Sequence, residues 1–209
     1  MKVRTQARRE AIIEAAVLLF QEVGYERASM NELAKRLGGS KATLYGYFAT
    51  KEALFVEVVR SVATVHLSEA VAQLATYEGE TTTLEQRLIR FGERMLLVLT
   101  NESSALAVYR MVMAEAGRSN IGMLFYQAGP SECSEVLSTW MAEAMTSGDL
   151  AQAAPKVRAA QFLALVTAEV QERLFQPHSE PLAIEQIRVL VVRAVEMFLL
   201  GAAPQVVSV

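Results

Sequence analysis

The sequence predicts an all-α protein: an N-terminal three-helix domain with a helix-turn-helix over residues 1–50, and a larger helical domain over 51–209 whose first helix links the two. Three observations predict this. All five prolines, at 130, 155, 177, 181 and 204, lie beyond residue 129, so the long preceding stretch lacks the strongest helix breaker. Apolar residues recur at three- and four-residue spacing between polar capping residues. No stretch alternates with period two as a half-buried strand does.

Taken in order, Ile12, Ala16, Leu19, Phe20 and Val23 form one stripe of a helix from about Thr5 to Val23, closed by Gly24. Ser29 and Glu32 have capping-box spacing and open a short helix from Met30 to Leu37. Gly38 and Gly39 permit a tight turn, and Ser40 caps a third short helix carrying Lys41, Thr43, Leu44, Tyr45, Tyr47 and Phe48. Thr50 caps a fourth through Leu54, Phe55 and Val58. Tyr77 to Thr82 reads as a connector, helical spacing returns from Leu84 to Leu99, and Asn101 to Ser104 is the next break. Helices follow over Ala105 to Ala116 and, after Gly117 to Asn120, a short segment to Gln127 ended by Gly129-Pro130. The last three cover Ser131 to Ser147, Pro155 to about Phe175, and Leu182 to Leu200.

The final helix is apolar on more than one side. From Ile184 to Leu200 the apolar positions are 184, 187, 189–192, 194, 195 and 197–200, and the preceding helix has a similar band through Phe162, Val166 and Val170. Such helices need a second partner surface. The same pair in another subunit supplies one, which nominates Val166, Val170, Ile187, Val191, Val195 and Phe198 as a dimer interface. A central helix wholly inside one monomer is the other solution.

Composition narrows the chemistry. At 209 residues and 52% hydrophobic, the chain can bury a sizeable core, and disorder is excluded. The single Cys133 rules out an internal disulfide and fits a reducing compartment, the cytoplasm. One Asp and two His, His66 and His178, leave little for calcium loops, triads or metal sites. No nucleophile-elbow, zinc-helix, phosphate-loop or dinucleotide pattern is present, so we expect no catalytic residue, no metal and no cofactor. No apolar run reaches the roughly 18 residues of a membrane span. The net charge of -3 divides unevenly: residues 1–51 carry nine Lys/Arg against five Glu, and the remainder eleven against eighteen acids. The basic end is the one with the glycine turn.

Two short helices joined by that turn form the arrangement that stands a second helix in the DNA major groove. Lys41 offers a phosphate contact, Thr43 can meet a phosphate or a base edge, and Tyr45 and Tyr47 join a packing ring to a phosphate-seeking hydroxyl. Ala42 and Gly46 allow close approach. Lys51, with the N–H groups opening the fourth helix, makes a further anion site. The alternative is that both tyrosines are core rings and Lys41 a solvated charge.

From Arg9 to Phe55 the chain resembles the N-terminal domain of the TetR family, the tetracycline-repressor-like bacterial transcription regulators. Ala16, Phe20, Gly24, Tyr25, Leu33, Ala34, Gly38, Ser40, Thr43, Leu44, Tyr45, Phe48, Lys51, Glu52 and Leu54 carry the likeness. It implies that Ser29 and Ser40 reach phosphates, that Lys41, Ala42 and Thr43 face the groove, and that Tyr45, Tyr47 and Lys51 clamp the backbone. Two positions depart from it: Gly39 stands where the family usually has a small apolar residue, and Gly46 removes a side chain from the reading helix. The resemblance also implies a homodimeric repressor on a palindromic double-stranded operator, released by an effector. Phe91, Met95, Tyr109, Met113, Phe125, Trp140, Met141 and Phe162 are large, deformable side chains suited to a hydrophobic or amphipathic compound. A regulator without a small-molecule effector, controlled by a protein partner or constitutive, is the alternative.

Overall fold

A computed structural model of the chain describes residues 5–64, 82–176 and 179–204. His66, His178 and most of the expected connector, residues 77–81, lie outside the described residues. All regular structure described is helical, as predicted. The described residues fall into two compact units, one drawn from Met1–Val65 and Ser103–Pro130, the other from His66–Glu102 and Ser131–Val209. These packing units divide the chain differently from the functional boundary expected at residue 50.

In the first unit, α1 (Gln6–Val23) starts where the Thr5 hydroxyl accepts a bond from the Arg8 N–H. It ends at Gly24, whose φ of +79° few side-chain-bearing residues adopt and whose N–H donates to the Phe20 carbonyl. In α2 (Met30–Arg36), Ser29 caps the Glu32 N–H, but the reciprocal half of the expected capping box is not made. The Glu32 carboxylate accepts from Arg36 instead. Gly38, at φ +59°, and Gly39 donate to the carbonyls of Lys35 and Ala34, the two bonds of a Schellman turn. Then follow α3 (Lys41–Tyr47), capped by Ser40, and α4 (Lys51–Val59), capped by Thr50, with one π-helical turn at Arg60–Thr64 that the sequence did not signal.

Two further helices, α6 (Ser103–Glu115) and α7 (Ile121–Ala128), belong to this unit. They pack on α1 and α4 because Val108, Val112 and Ile121 join the buried cluster around Phe20, Tyr25 and Phe55. Those three rings meet at centroid distances of 5.0 to 6.0 Å, tilted or edge to face. Each such pair contributes about 0.5–1.5 kcal/mol beyond its buried area.

The second unit is built from α5 (Leu84–Asn101), α8 (Pro130–Ser147), α9 (Pro155–Ala168) and α10 (Ile184–Ala202). Thr83 and Gln86 form a complete capping box at the start of α5. The close crossing of α5 and α10 depends on Gly92: a Cβ there would stand 2.7 Å from a Val191 methyl. Phe91, Phe162 and Phe198 form a ring ladder through the core, with spacings of 6.2 and 5.5 Å.

Three boundaries differ from expectation. Helix α5 runs through Asn101 and only Glu102 interrupts it, while the Asn101 amide brackets Leu182 by donating to its carbonyl and accepting from its N–H. Pro130 begins α8 instead of ending a helix, since a first-turn residue has no use for the missing N–H. The helix expected from Pro155 to Phe175 stops at Ala168 and resumes as a 3₁₀ turn, Gln171–Phe175. There the Thr167 hydroxyl bonds back to the Leu163 carbonyl, and Val170 and Arg173 donate to carbonyls three residues earlier.

Candidate nucleic-acid interface

The turn and reading helix of the first unit present one continuous exposed stretch. Gly38, Gly39, Ser40, Lys41, Ala42 and Thr43 are all exposed, and Tyr45 follows one turn on at 41% exposure. Leu44 and Phe48, on the opposite side of α3, are buried and anchor it to the core. The Ser40 hydroxyl accepts from the Thr43 N–H and also bonds the Thr43 hydroxyl at 2.8 Å, which orders the first turn. Lys41 lies 5.8 Å from the Tyr45 ring centroid, so its charge rides over the aromatic face that the helix offers to solvent. Ser29 is exposed at the start of α2. Six of the eight nominated DNA-contact residues are thereby exposed, and Tyr47 and Lys51 are half-buried.

Tyr47 has a second attachment. Its hydroxyl accepts the Thr5 N–H at 3.1 Å, which ties the end of α3 to the start of α1 and leaves the phenolic proton to donate elsewhere.

Lys51 is turned inward in this structure. Its ammonium donates to the carbonyls of Tyr25, Glu26 and Ala28 at 2.9, 3.3 and 3.2 Å, which occupies all three N–H donors, and lies 4.2 Å from the Tyr25 ring centroid. The anion site expected at the start of α4 is also filled from within. The Glu52 carboxyl takes its own backbone N–H and bonds Thr50, and these bonds hold it below the ordinary carboxylate value of 4.5 despite some burial. Lys51 thus fastens the loop between α1 and α2 to α4.

Other cations of the unit are similarly committed. Arg36 pairs with Glu22 at 2.7 Å, and Arg9 pairs with Glu57 while lying over the Phe48 ring. Arg8 was missed in the sequence: its half-buried guanidinium donates to the Leu37 carbonyl at 3.1 Å, in the space beside Gly39. The signal was the absent side chain at 39.

The eight nominated effector residues are divided between the two units. Tyr109, Met113 and Phe125 belong to the first unit and Phe91, Met95, Trp140, Met141 and Phe162 to the second. Met113 is 62% exposed, and Phe91, Met141 and Phe162 are fully buried core. Only Met95 and Trp140 of the second group are half-buried, the Trp140 ring standing edge to face against Phe91 at 6.2 Å. A groove of about 510 Å³ in the second unit, lined by Glu169, Glu172, Arg173, Leu182, Glu185 and Val189 among others, includes none of the eight.

The nominated dimer residues face inward. Val166, Val170, Ile187, Val191, Val195 and Phe198 are buried within the single chain, packed on α5, α8 and one another. The large apolar residues that α9 and α10 leave outside are Val157, Ile184, Val189, Met197 and Leu200, the last four 70%, 57%, 59% and 81% exposed.

Comparison with known proteins gives two family matches. Residues 12–58 match bacterial regulatory proteins of the tetR family, and residues 86–201 match the AefR-like transcriptional repressor C-terminal domain. The fold is similar to that of a TetR-family transcriptional regulator from Mesorhizobium loti, at 26% identity and a TM-score of 0.74 over 97% of this chain and 100% of that one. It is also similar to the flavonoid-responsive regulator FrrA, at 29% identity and a TM-score of 0.73 over 96% and 100%. The A-factor receptor protein of Streptomyces griseus is 32% identical over 101 residues, 48% of this chain and 33% of its own. The regulator YvdT of Bacillus subtilis is 29% identical over 85 residues, 41% of this chain and 44% of its own, so the match spans less than half of each of these two relatives.

Proposed function

The chain belongs to the TetR family of bacterial transcriptional regulators, and on that premise we propose that it represses transcription as a homodimer on a roughly palindromic operator and is released by a hydrophobic or amphipathic small molecule. The observation that carries the DNA reading is the uninterrupted exposed run from Gly38 to Thr43, continued by Tyr45, on a helix whose other side is anchored in the core. Ser29, Ser40, Lys41, Tyr45 and the free proton of Tyr47 meet phosphates; Ala42 and Thr43 meet base edges. With few long side chains aimed at bases, much of the affinity is electrostatic, and the acidic remainder of the chain keeps the rest of the molecule off the duplex.

Two subunits join through the outer face of α9 and α10, where Val157, Val189, Met197 and Leu200 supply the unpartnered apolar surface. The effector enters the aromatic layer of the second unit beside Trp140 and Met95, the two half-buried members of the nominated set, and repacks Phe91 and Phe162 behind them. The flavonoid response of a regulator similar over nearly the whole chain supports an aromatic or amphipathic compound. Release requires that the compound bind the DNA-incompetent state more tightly, each ~1.4 kcal/mol of preference weakening operator binding tenfold. Full burial of Phe91, Met141 and Phe162 favours the second reading, a regulator with a filled interior and no small-molecule effector.

Selection of bound fragments from the source genome tests the DNA reading. A recurring inverted repeat is expected, with affinity falling roughly 10³- to 10⁵-fold between about 50 and 200 mM salt if about eight phosphates are met per dimer. Failure to enrich any sequence overturns it. Trp140 is the only tryptophan, so its fluorescence reports the effector site directly; a panel of flavonoids and long-chain acyl compounds that neither shifts it nor releases DNA supports the second reading.

A further inference from the structure

We propose that Arg8 is a positioning residue for the reading helix, acting through the turn in front of α3, and that Gly39 is what admits it; this rests on the DNA-binding reading above. The Leu37 carbonyl belongs to the cap at the end of α2, where the helix leaves carbonyls without partners inside it. Arg8 supplies the partner from the third position of α1, its Nη2 donating at 3.1 Å, and a cation at a helix C-terminus also meets the favourable end of the helix dipole.

The backbone of the same first turn of α1 holds the other end of the reading helix, because the Thr5 N–H donates to the Tyr47 hydroxyl at 3.1 Å. One turn of α1 thus fixes the turn before α3 through Arg8 and the last residue of α3 through Thr5. Leu44 and Phe48 hold this seven-residue helix against the core, and the two bonds from α1 fix its ends.

Gly39 completes the device. A Cβ at this position would lie 3.1 Å from Arg8 Nη2, tighter than ordinary contact, so a side chain at 39 and the guanidinium compete for the same space. The left-handed backbone of this turn falls at Gly38, not Gly39, so a substitution at 39 tests the space and leaves the backbone conformation alone. The departure from the family's small apolar residue and the presence of Arg8 at Leu37 are one arrangement.

The test compares Arg8→Ala, Gly39→Val and the double variant on the duplex recovered by genomic selection and on a scrambled duplex of equal length. Each single variant should weaken binding to the selected duplex about tenfold, change binding to the scrambled duplex less than about threefold, and leave the slope of log affinity against log salt as in the wild type. The double variant should be no worse than either single one. Three results overturn the proposal. A slope lower by about 1.8 per dimer in Arg8→Ala, with equal weakening on both duplexes, makes Arg8 a phosphate contact. A lowered melting temperature with unchanged affinity well below it makes Arg8 a stabilising residue only. Additive losses in the double variant separate Arg8 from Gly39. A wild-type protein that selects no duplex defeats the DNA-binding reading itself, a distinct outcome.

Discussion

Replacing Lys51 by methionine, which keeps an unbranched apolar stem and removes the ammonium, separates two roles for this residue. The ammonium makes three bonds to loop carbonyls at 2.9 to 3.3 Å and sits 4.2 Å from the Tyr25 ring centroid. A hydrogen bond from a charged group contributes about 1.5–3 kcal/mol and a half-exposed cation–π contact about 0.5–1. The three acceptors are adjacent and the carbonyl of exposed Glu26 can turn to water, so the terms do not add; about 2–4 kcal/mol is the expected loss. For a chain of this size that lowers the thermal midpoint by roughly 4–16 °C. The salt dependence of operator binding should not change, because the ammonium has no donor left for a phosphate. A phosphate contact made by both subunits would cost about 1.8 in the log–log slope, and Lys41→Met, from the exposed reading face, is expected to show that loss. The assay is operator titration at several salt concentrations, well below the variant's midpoint, beside thermal unfolding. A Lys51→Met protein of wild-type stability whose slope falls by about 1.8 would refute the assignment and restore the phosphate clamp.

The remaining predictions concern packing, assembly and acid stability. Gly92→Ala improves helix propensity by about 1 kcal/mol but forces a methyl to 2.7 Å from Val191, an overpacking cost of about 1–3 kcal/mol, so it should destabilise; Val191→Ala in the same chain should recover most of the loss, and urea unfolding that shows simple additivity would disprove the close contact. Met197→Glu should yield folded monomers in sedimentation, whereas Val195→Glu should unfold the second unit because that side chain is fully buried; folded Val195→Glu monomers would return the interface to the inner face. Glu57→Gln should cost about 0.5–1 kcal/mol at neutral pH. Burial acts to raise the Glu57 carboxyl, but Arg9 and Arg60 hold it below the ordinary value of 4.5. Its contribution is therefore present above that value and disappears as the pH falls through the lower folded-state value, so the wild-type and variant stabilities should converge in acid; a difference that persists there would mean the Glu57 pairs are not its source.

Local chemistry was legible because it is written in neighbouring residues. Ser29, Ser40 and Thr50 each cap the helix they precede, Gly24 ends α1, and Pro155 opens α9, since every one of these roles is satisfied within about four residues of chain. The exposed run from Gly38 to Thr43 followed for the same reason: the apolar residues of α3 lie on its other side. The π turn after α4 and the break at Ala168 were not legible, because each departs from the α pattern without glycine or proline to mark it.

Only the tertiary structure decided which of two equivalent choices each ambiguous residue took. Periodicity shows that α10 is apolar on two sides; it cannot say which side the chain covers for itself, and packing on α5 claimed Val191, Val195 and Phe198 and left Val189, Met197 and Leu200 outside. A lysine beside a helix N-terminus serves a phosphate or a carbonyl equally well, and in this structure Lys51 bonds loop carbonyls 23 to 26 residues away. The empty side of Gly39 acquired meaning only when Arg8, 31 positions earlier in the sequence, arrived beside it. Short-range hydrogen bonding and periodicity determine the helices of this protein, while its pairings depend on which surfaces meet, and that information is carried by no single stretch of chain.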